Sequence, residues 1–82
     1  MATSQEDIKR WLETAKEKGA THVVVVCDTF DWSNYPVYVM PGRDARAIAD
    51  ANNGPNMTML MEVYNMAIPI AEQMAQRRAF NF

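Results

Sequence analysis

The sequence predicts a single α+β domain over residues 1–82, with the order helix, antiparallel β-hairpin, short helix and long proline-kinked helix, completed by dimerisation. Three observations carry this expectation. An amphipathic run is closed by Gly19, a β-branched run holds four consecutive valines, and an apolar C-terminal third is broken by Pro69. Composition agrees with a folded globule: 49% of the 82 residues are hydrophobic and 22% are charged. A chain of this length buries only about 60–65% of its unfolded surface, so a partner is worth looking for.

The first helix has both ends written in the sequence. Thr3 and Ser4 are alternative N-caps, and Glu6 or Asp7 completes a capping box at the positive end of the helix dipole. Ile8, Trp11, Leu12 and Ala15 follow at helical spacing, and Gly19 stands where a left-handed residue ends a helix. Residues 21–27 then change period. Their valines are stiff at χ1, and the unbroken apolar run predicts a strand buried on both faces. Residues 36–40 read as a second strand, opened by Pro36 and closed by the Pro41-Gly42 turn. The connection over residues 28–35 is shorter than the dozen or so residues of a helical crossover, which leaves an antiparallel hairpin with a wide loop.

Asp44 caps a short helix over residues 45–52, ended by Asn53-Gly54-Pro55. Asn56 is then expected to cap a helix over residues 57–78, kinked at Pro69. Its polar residues Thr58, Glu62, Asn65, Glu72 and Gln76 recur at helical spacing and leave two apolar faces, rich in methionine, between Met57 and Met74. A lone hairpin and two short helices cannot cover both faces. The expectation is a homo-oligomer, most simply a twofold dimer, joined through this helix, with the two hairpins pairing edge to edge into a four-stranded sheet.

Several function classes are excluded by what the chain lacks. One cysteine and one histidine rule out a disulfide scaffold, a zinc finger and a CxxC redox module. The longest apolar run, residues 23–27, is far short of the roughly 20 residues that span a bilayer. The N-terminal Thr-Ser-Gln-Glu-Asp is no secretory leader, so a soluble, cytoplasmic protein is expected without membrane contact. A formal net charge of −2 argues against nucleic acid.

One dense constellation remains, residues 27–35, with two carboxylates, two hydroxyls besides the tyrosine, an amide and three aromatic rings. Asp28, Thr29, Asp31, Trp32 and Tyr35 are its candidate ligand-binding residues, joined by Tyr38 from the next strand. Arg43 and Arg46 at the second helix could hold an anionic group. The structural alternative is that Asp28, Asp31 and Asn34 shape turns and Trp32 covers the core. Catalysis is not expected, and neither a metal nor another cofactor. His22 lies at the opposite end of the strand from Asp28, roughly 20 Å away at about 3.3 Å per residue, and Cys27 reads as a buried structural thiol.

The stretches Gly19-Ala20-Thr21-His22-Val23, Val26-Cys27-Asp28-Thr29-Phe30-Asp31 and Tyr35-Pro36-Val37-Tyr38-Val39 resemble a family of small proteins of unassigned function encoded by phages and prophages. The resemblance extends to Asn56-Met57 and to Arg78-Ala79-Phe80-Asn81. It implies an accessory protein acting in the bacterial cytoplasm, for which counter-defence is a common role. The expected function is therefore an oligomeric binding module that sequesters a small nucleotide-like ligand. The alternative is a protein inhibitor that binds a host enzyme directly, and a small metal-assisted hydrolase using Asp28 and Asp31 is the weakest reading.

Overall fold

The structure, a computed structural model, describes residues 5–82. The Thr3 and Ser4 caps expected for the first helix lie outside the described residues. That helix, α1, runs Gln5–Lys18 and buries Ile8, Leu12 and Ala15. Gly19 ends it at φ +75°, and the Ala20 N–H donates back to the Ala15 carbonyl at 2.9 Å, the six-residue closure of a Schellman turn.

The valine run forms β1, His22–Asp28, and the next strand, β2, is Ser33–Val39. They pair antiparallel from His22↔Val39 to Asp28↔Ser33. The strand begins earlier than the sequence predicts, because Asp28 and Asp31 fold the connection into a tight four-residue loop, 29–32. Pro36 therefore sits in mid-strand opposite Val25. It is tolerated there because β2 is an outer strand. Asp44 caps α2, Ala45–Ala51, by accepting from the N–H groups of Arg46 and Ala47.

The long C-terminal helix does not form. After a single 3-10 turn, Pro55–Met57, residues Thr58–Asn65 make a third strand, β3, and helix returns only in α3, Ile70–Met74. Asn56 and Met57 have φ +54° and +61°, which makes the segment a reversing turn and not a helix start. Tertiary pairing outweighs the helix propensity of Met, Leu and Glu here, because β3 supplies the second neighbour that a fully apolar β1 requires. The sheet order is β2-β1-β3, all antiparallel. A bulge breaks the register, with Val25 opposite Glu62 and Val26 opposite Leu60, so Met61 is the extra residue. The Leu60 N–H donates to Asn53 Oδ1 at 3.2 Å, and Arg78 Nη2 donates to the Met61 carbonyl at 3.0 Å, which satisfies the groups that the bulge displaces.

Three layers result. On one face Val23, Val25 and Tyr64 pack with Ile8, Leu12 and Ala15 of α1, and Ile70 and Met74 of α3 join them. On the other, Val24, Val26, Val39 and Val63 pack with Ala45 and Ala49 of α2. The predicted burial of both faces of the valine strand thus holds, but by elements of one chain. The methionine-rich segment lies mostly within this sheet, so the helical surplus that pointed to a dimer interface at residues 57–74 is not there. Nor is the sheet two-stranded: β3 and the C-terminal segment complete it. The Val63 N–H donates to the Ala79 carbonyl at 2.8 Å and the Asn81 N–H to the Val63 carbonyl at 2.9 Å, a parallel bridge along the outside of β3.

A buried amide holds this side together. Gln73 of α3 is fully buried, and its Oε1 accepts from the Asn65 N–H at 2.7 Å while its Nε2 donates to the Asn65 carbonyl at 2.7 Å. The side chain pairs with the backbone of β3 as another strand would.

Candidate functional site

The Asp28 end of the sheet is built by short polar side chains bonding to their own backbone. Asp28 Oδ1 accepts from the Phe30 N–H at 2.9 Å, and the Asp28 carbonyl accepts from the Trp32 N–H at 2.7 Å. Asp31 Oδ1 accepts from the Ser33 hydroxyl at 2.6 Å and from the Ser33 N–H at 3.0 Å. These two donors hold the Asp31 carboxyl below its ordinary range, so it is a carboxylate at neutral pH. Thr29 ties the loop to the neighbouring turn, its N–H and hydroxyl both donating to the Met57 carbonyl at 2.8 and 3.0 Å.

This scaffold presents apolar side chains to solvent. Phe30 is 77% exposed, Trp32 57% and Met57 56%, the three highest values among the exposed large hydrophobic side chains. Tyr35 and Met59 are each 37% exposed at the same end, on β2 and β3. Backbone strain is concentrated here as well. Trp32 (φ +60°), Asn56 (φ +54°) and Met57 (φ +61°) are the only non-glycine residues with positive φ among those described. Left-handed backbone costs a residue with a Cβ about 1–2 kcal/mol. Glycine would relieve Trp32 and Met57, so side chains this large bring something other than local stability.

The residues selected from sequence divide into two groups. Asp28, Thr29, Asp31, Trp32 and Tyr35 stand together at the hairpin end. Tyr38, Arg43 and Arg46 do not join them: Tyr38 lies near the Val39 end of β2, about 17 Å along the strand from Ser33, and the arginines lie beyond that end, at the start of α2. Arg46 places its guanidinium 4.2 Å from the Phe82 ring centre. Tyr38 and Arg43 line an open cavity of about 440 Å³ between β2 and α2. The turn-forming alternative describes the aspartates, each of which gives an oxygen to its own loop. It does not describe Trp32, which covers no core.

His22 stands at the far end of β1 from Asp28, with Nδ1 2.9 Å from the Thr21 hydroxyl and Nε2 3.1 Å from the main-chain oxygen of Phe82. Cys27 is buried. Among the described residues no three His, Cys, Asp or Glu side chains are placed to hold a metal ion. No helix among them is long and apolar enough to cross a membrane. Met57 and Met59 were missed by sequence reasoning because they were assigned to a helix. The signal that could have found them is the Asn53-Gly54-Pro55-Asn56 turn, which returns the chain to the hairpin end. The chain matches no protein-family model, no curated protein and no solved structure.

Proposed function

We propose that the protein is a non-catalytic binding module that docks onto a partner protein through the hairpin end, with Phe30, Trp32 and Met57 as anchors. The observation that carries this reading is the coincidence of the most exposed apolar side chains with left-handed backbone positions at one end of the sheet. Aromatic and methionine side chains are the usual anchors of protein interfaces, and such an anchor is worth about 2 kcal/mol or more when desolvated. Asp28 and Asp31 add negative charge beside them, and no Lys or Arg occurs between Lys18 and Arg43. The favoured partner surface is apolar with a basic rim.

This reading is preferred to sequestration of a nucleotide-like ligand because the hairpin residues and the arginines are too far apart to line one pocket. With the resemblance to phage-encoded proteins, the setting is the cytoplasm of a bacterial host and the role is counter-defence by occupying a host protein. Self-association through the same apolar end is the competing outcome. The test compares the proteins captured from bacterial lysate by the natural chain, by a Phe30→Ser/Trp32→Ser/Met57→Ser variant and by Arg43→Gln, with folding checked by circular dichroism. The reading predicts a protein retained by the natural chain and by Arg43→Gln but lost with the triple variant. Identical capture by all three, or concentration-dependent dimers that the triple variant abolishes, overturns it.

A further inference from the structure

We propose that the outer edge of β2 and the groove between β2 and α2 take an extended peptide by strand addition, with the peptide's terminal carboxylate on Arg43. This site is distinct from the hairpin end.

Backbone directions across the sheet identify the available edge. The N–H groups of Val63 and Asn65 point away from β1, toward the Ala79 carbonyl and the Gln73 side chain. In a strand the groups of alternate residues point to opposite sides, so Glu62 and Tyr64 bond inward to their partners Val25 and Val23. His22, Val24 and Val26 are then left to bond β2 at Val39, Val37 and Tyr35. The backbone groups of Asn34, Pro36 and Tyr38 therefore face outward on the edge that no strand among the described residues covers. Pro36 has no N–H and interrupts this edge, which opposes pairing of two whole β2 strands. Beyond it Tyr38 offers both a donor and an acceptor, the pair that one residue of an added strand engages.

The groove beside that edge supplies the rest of a peptide site. Its volume of about 440 Å³ is within the range that holds a ligand side chain, and the apolar Val37, Met40, Ile48 and Ala51 line it together with the polar Tyr38, Arg43 and Asn52. Arg43 marks its end. There the Arg43 N–H donates to the Met40 carbonyl at 3.1 Å and closes a turn just past Val39, so the pairing edge of β2 stops at this point. Arg10, Arg46 and Arg78 have their guanidinium groups engaged with Asp7, the Phe82 ring and the Met61 carbonyl. Among the described residues the Arg43 guanidinium, like that of Arg77, has no hydrogen bond, ion pair or ring contact. A donor fork of this kind where the edge stops pairing matches a carboxylate, and a chain end is the carboxylate that an added strand brings to the end of the edge. From Pro36 to Met40 the edge is about 13 Å long, room for three or four extended residues.

The test uses the whole protein, labelled with ¹⁵N, and two pools of pentapeptides randomised at their last four positions, one with free carboxyl termini and one amidated. The free pool is expected to slow exchange of the Tyr38 N–H at least tenfold at saturation and to shift the Met40 and Ile48 amides. Amidation, and Arg43→Gln against the free pool, are each expected to weaken binding at least fivefold. Ala51→Phe, which fills the groove from an exposed position, is expected to abolish it, whereas Trp32→Ser leaves it unchanged. Unchanged Tyr38 exchange, equal response to both pools, or shifts confined to Phe30 and Trp32 overturns the proposal. Tyr38 protection that rises with protein concentration in the absence of peptide assigns the edge to a second copy and also overturns it.

Discussion

Replacing Gln73 by leucine tests how the C-terminal half is held to the sheet. The side chain is fully buried and makes four hydrogen bonds: it accepts from the Asn65 N–H and from Asn81 Nδ2 at 3.1 Å, and donates to the carbonyls of Asn65 and of Ile68 at 3.0 Å. Leucine fills nearly the same space and serves none of them. A buried polar group left unpaired costs about 1–3 kcal/mol, and the Asn65 N–H and carbonyl are both stranded. The burial of an apolar side chain in place of an amide returns part of that, which leaves a net loss of about 2–4 kcal/mol. A domain of this length has about 4–12 kcal/mol in total, so the loss is a large fraction. Urea denaturation followed by circular dichroism reads the change, and exchange of the Asn65 N–H reads its location. Gln73→Glu adds a sign check, because a carboxylate cannot donate to the two carbonyls. That variant is held protonated in the fold, so its stability relative to the natural chain falls as pH rises. A loss below about 0.5 kcal/mol for Gln73→Leu, with Asn65 still protected, would show that the buried amide does not hold α3 to β3.

Trp32→Gly removes a left-handed tryptophan at φ +60°. It is expected to leave stability unchanged or to raise it by up to about 1 kcal/mol in urea denaturation, while capture of the partner protein is lost. Tyr64 is raised well above its ordinary value of 10.0 by burial and by the neighbouring Glu62 carboxylate. Its contribution is complete below that ordinary value and is lost as pH rises past it, so urea midpoints from pH 8 to 11 are expected to fall more steeply for the natural chain than for Tyr64→Phe. Asp31 behaves in the opposite sense: its pKa lies below 3.8, and the order it gives the loop is present at neutral pH and lost only on acidification through that lower value. An NMR titration of the carboxyl is expected to show this, with Ser33→Ala moving the midpoint upward.

What was legible in the sequence was whatever local chemistry decides. Ile8, Leu12 and Ala15 specify α1, Asp44 starts α2, and the valine run specifies the central strand together with the burial of both its faces. The third strand was illegible for a definite reason. The bulge at Met61 breaks the alternation of period two, since Met59, Glu62 and Tyr64 share one face and Thr58, Leu60, Val63 and Asn65 the other. The polar residues Thr58, Glu62 and Asn65, which lie on both faces of the strand, fall four and three positions apart, which is helical spacing. The dimer interface expected at residues 57–74 depended on that helix. At the candidate site, Asp28, Asp31, Trp32 and Tyr35 could be selected because aromatic and turn-forming residues crowd one short stretch. Met57 and Met59 reach the same end only through the pairing of β3 with β1, a long-range contact that no local pattern encodes. The same pairing register separates Tyr38 and Arg43 from the hairpin, since they lie at the end of β2 where it meets His22.

Docking through the hairpin end is tested by placing a photo-crosslinking phenylalanine analogue at Phe30, or at the exposed Glu13 of α1 as a control, in a bacterial host producing the protein. A discrete adduct with a host protein is expected from position 30 and none from position 13. No adduct from position 30, the same adducts from both, or only a homodimer of this chain would contradict it.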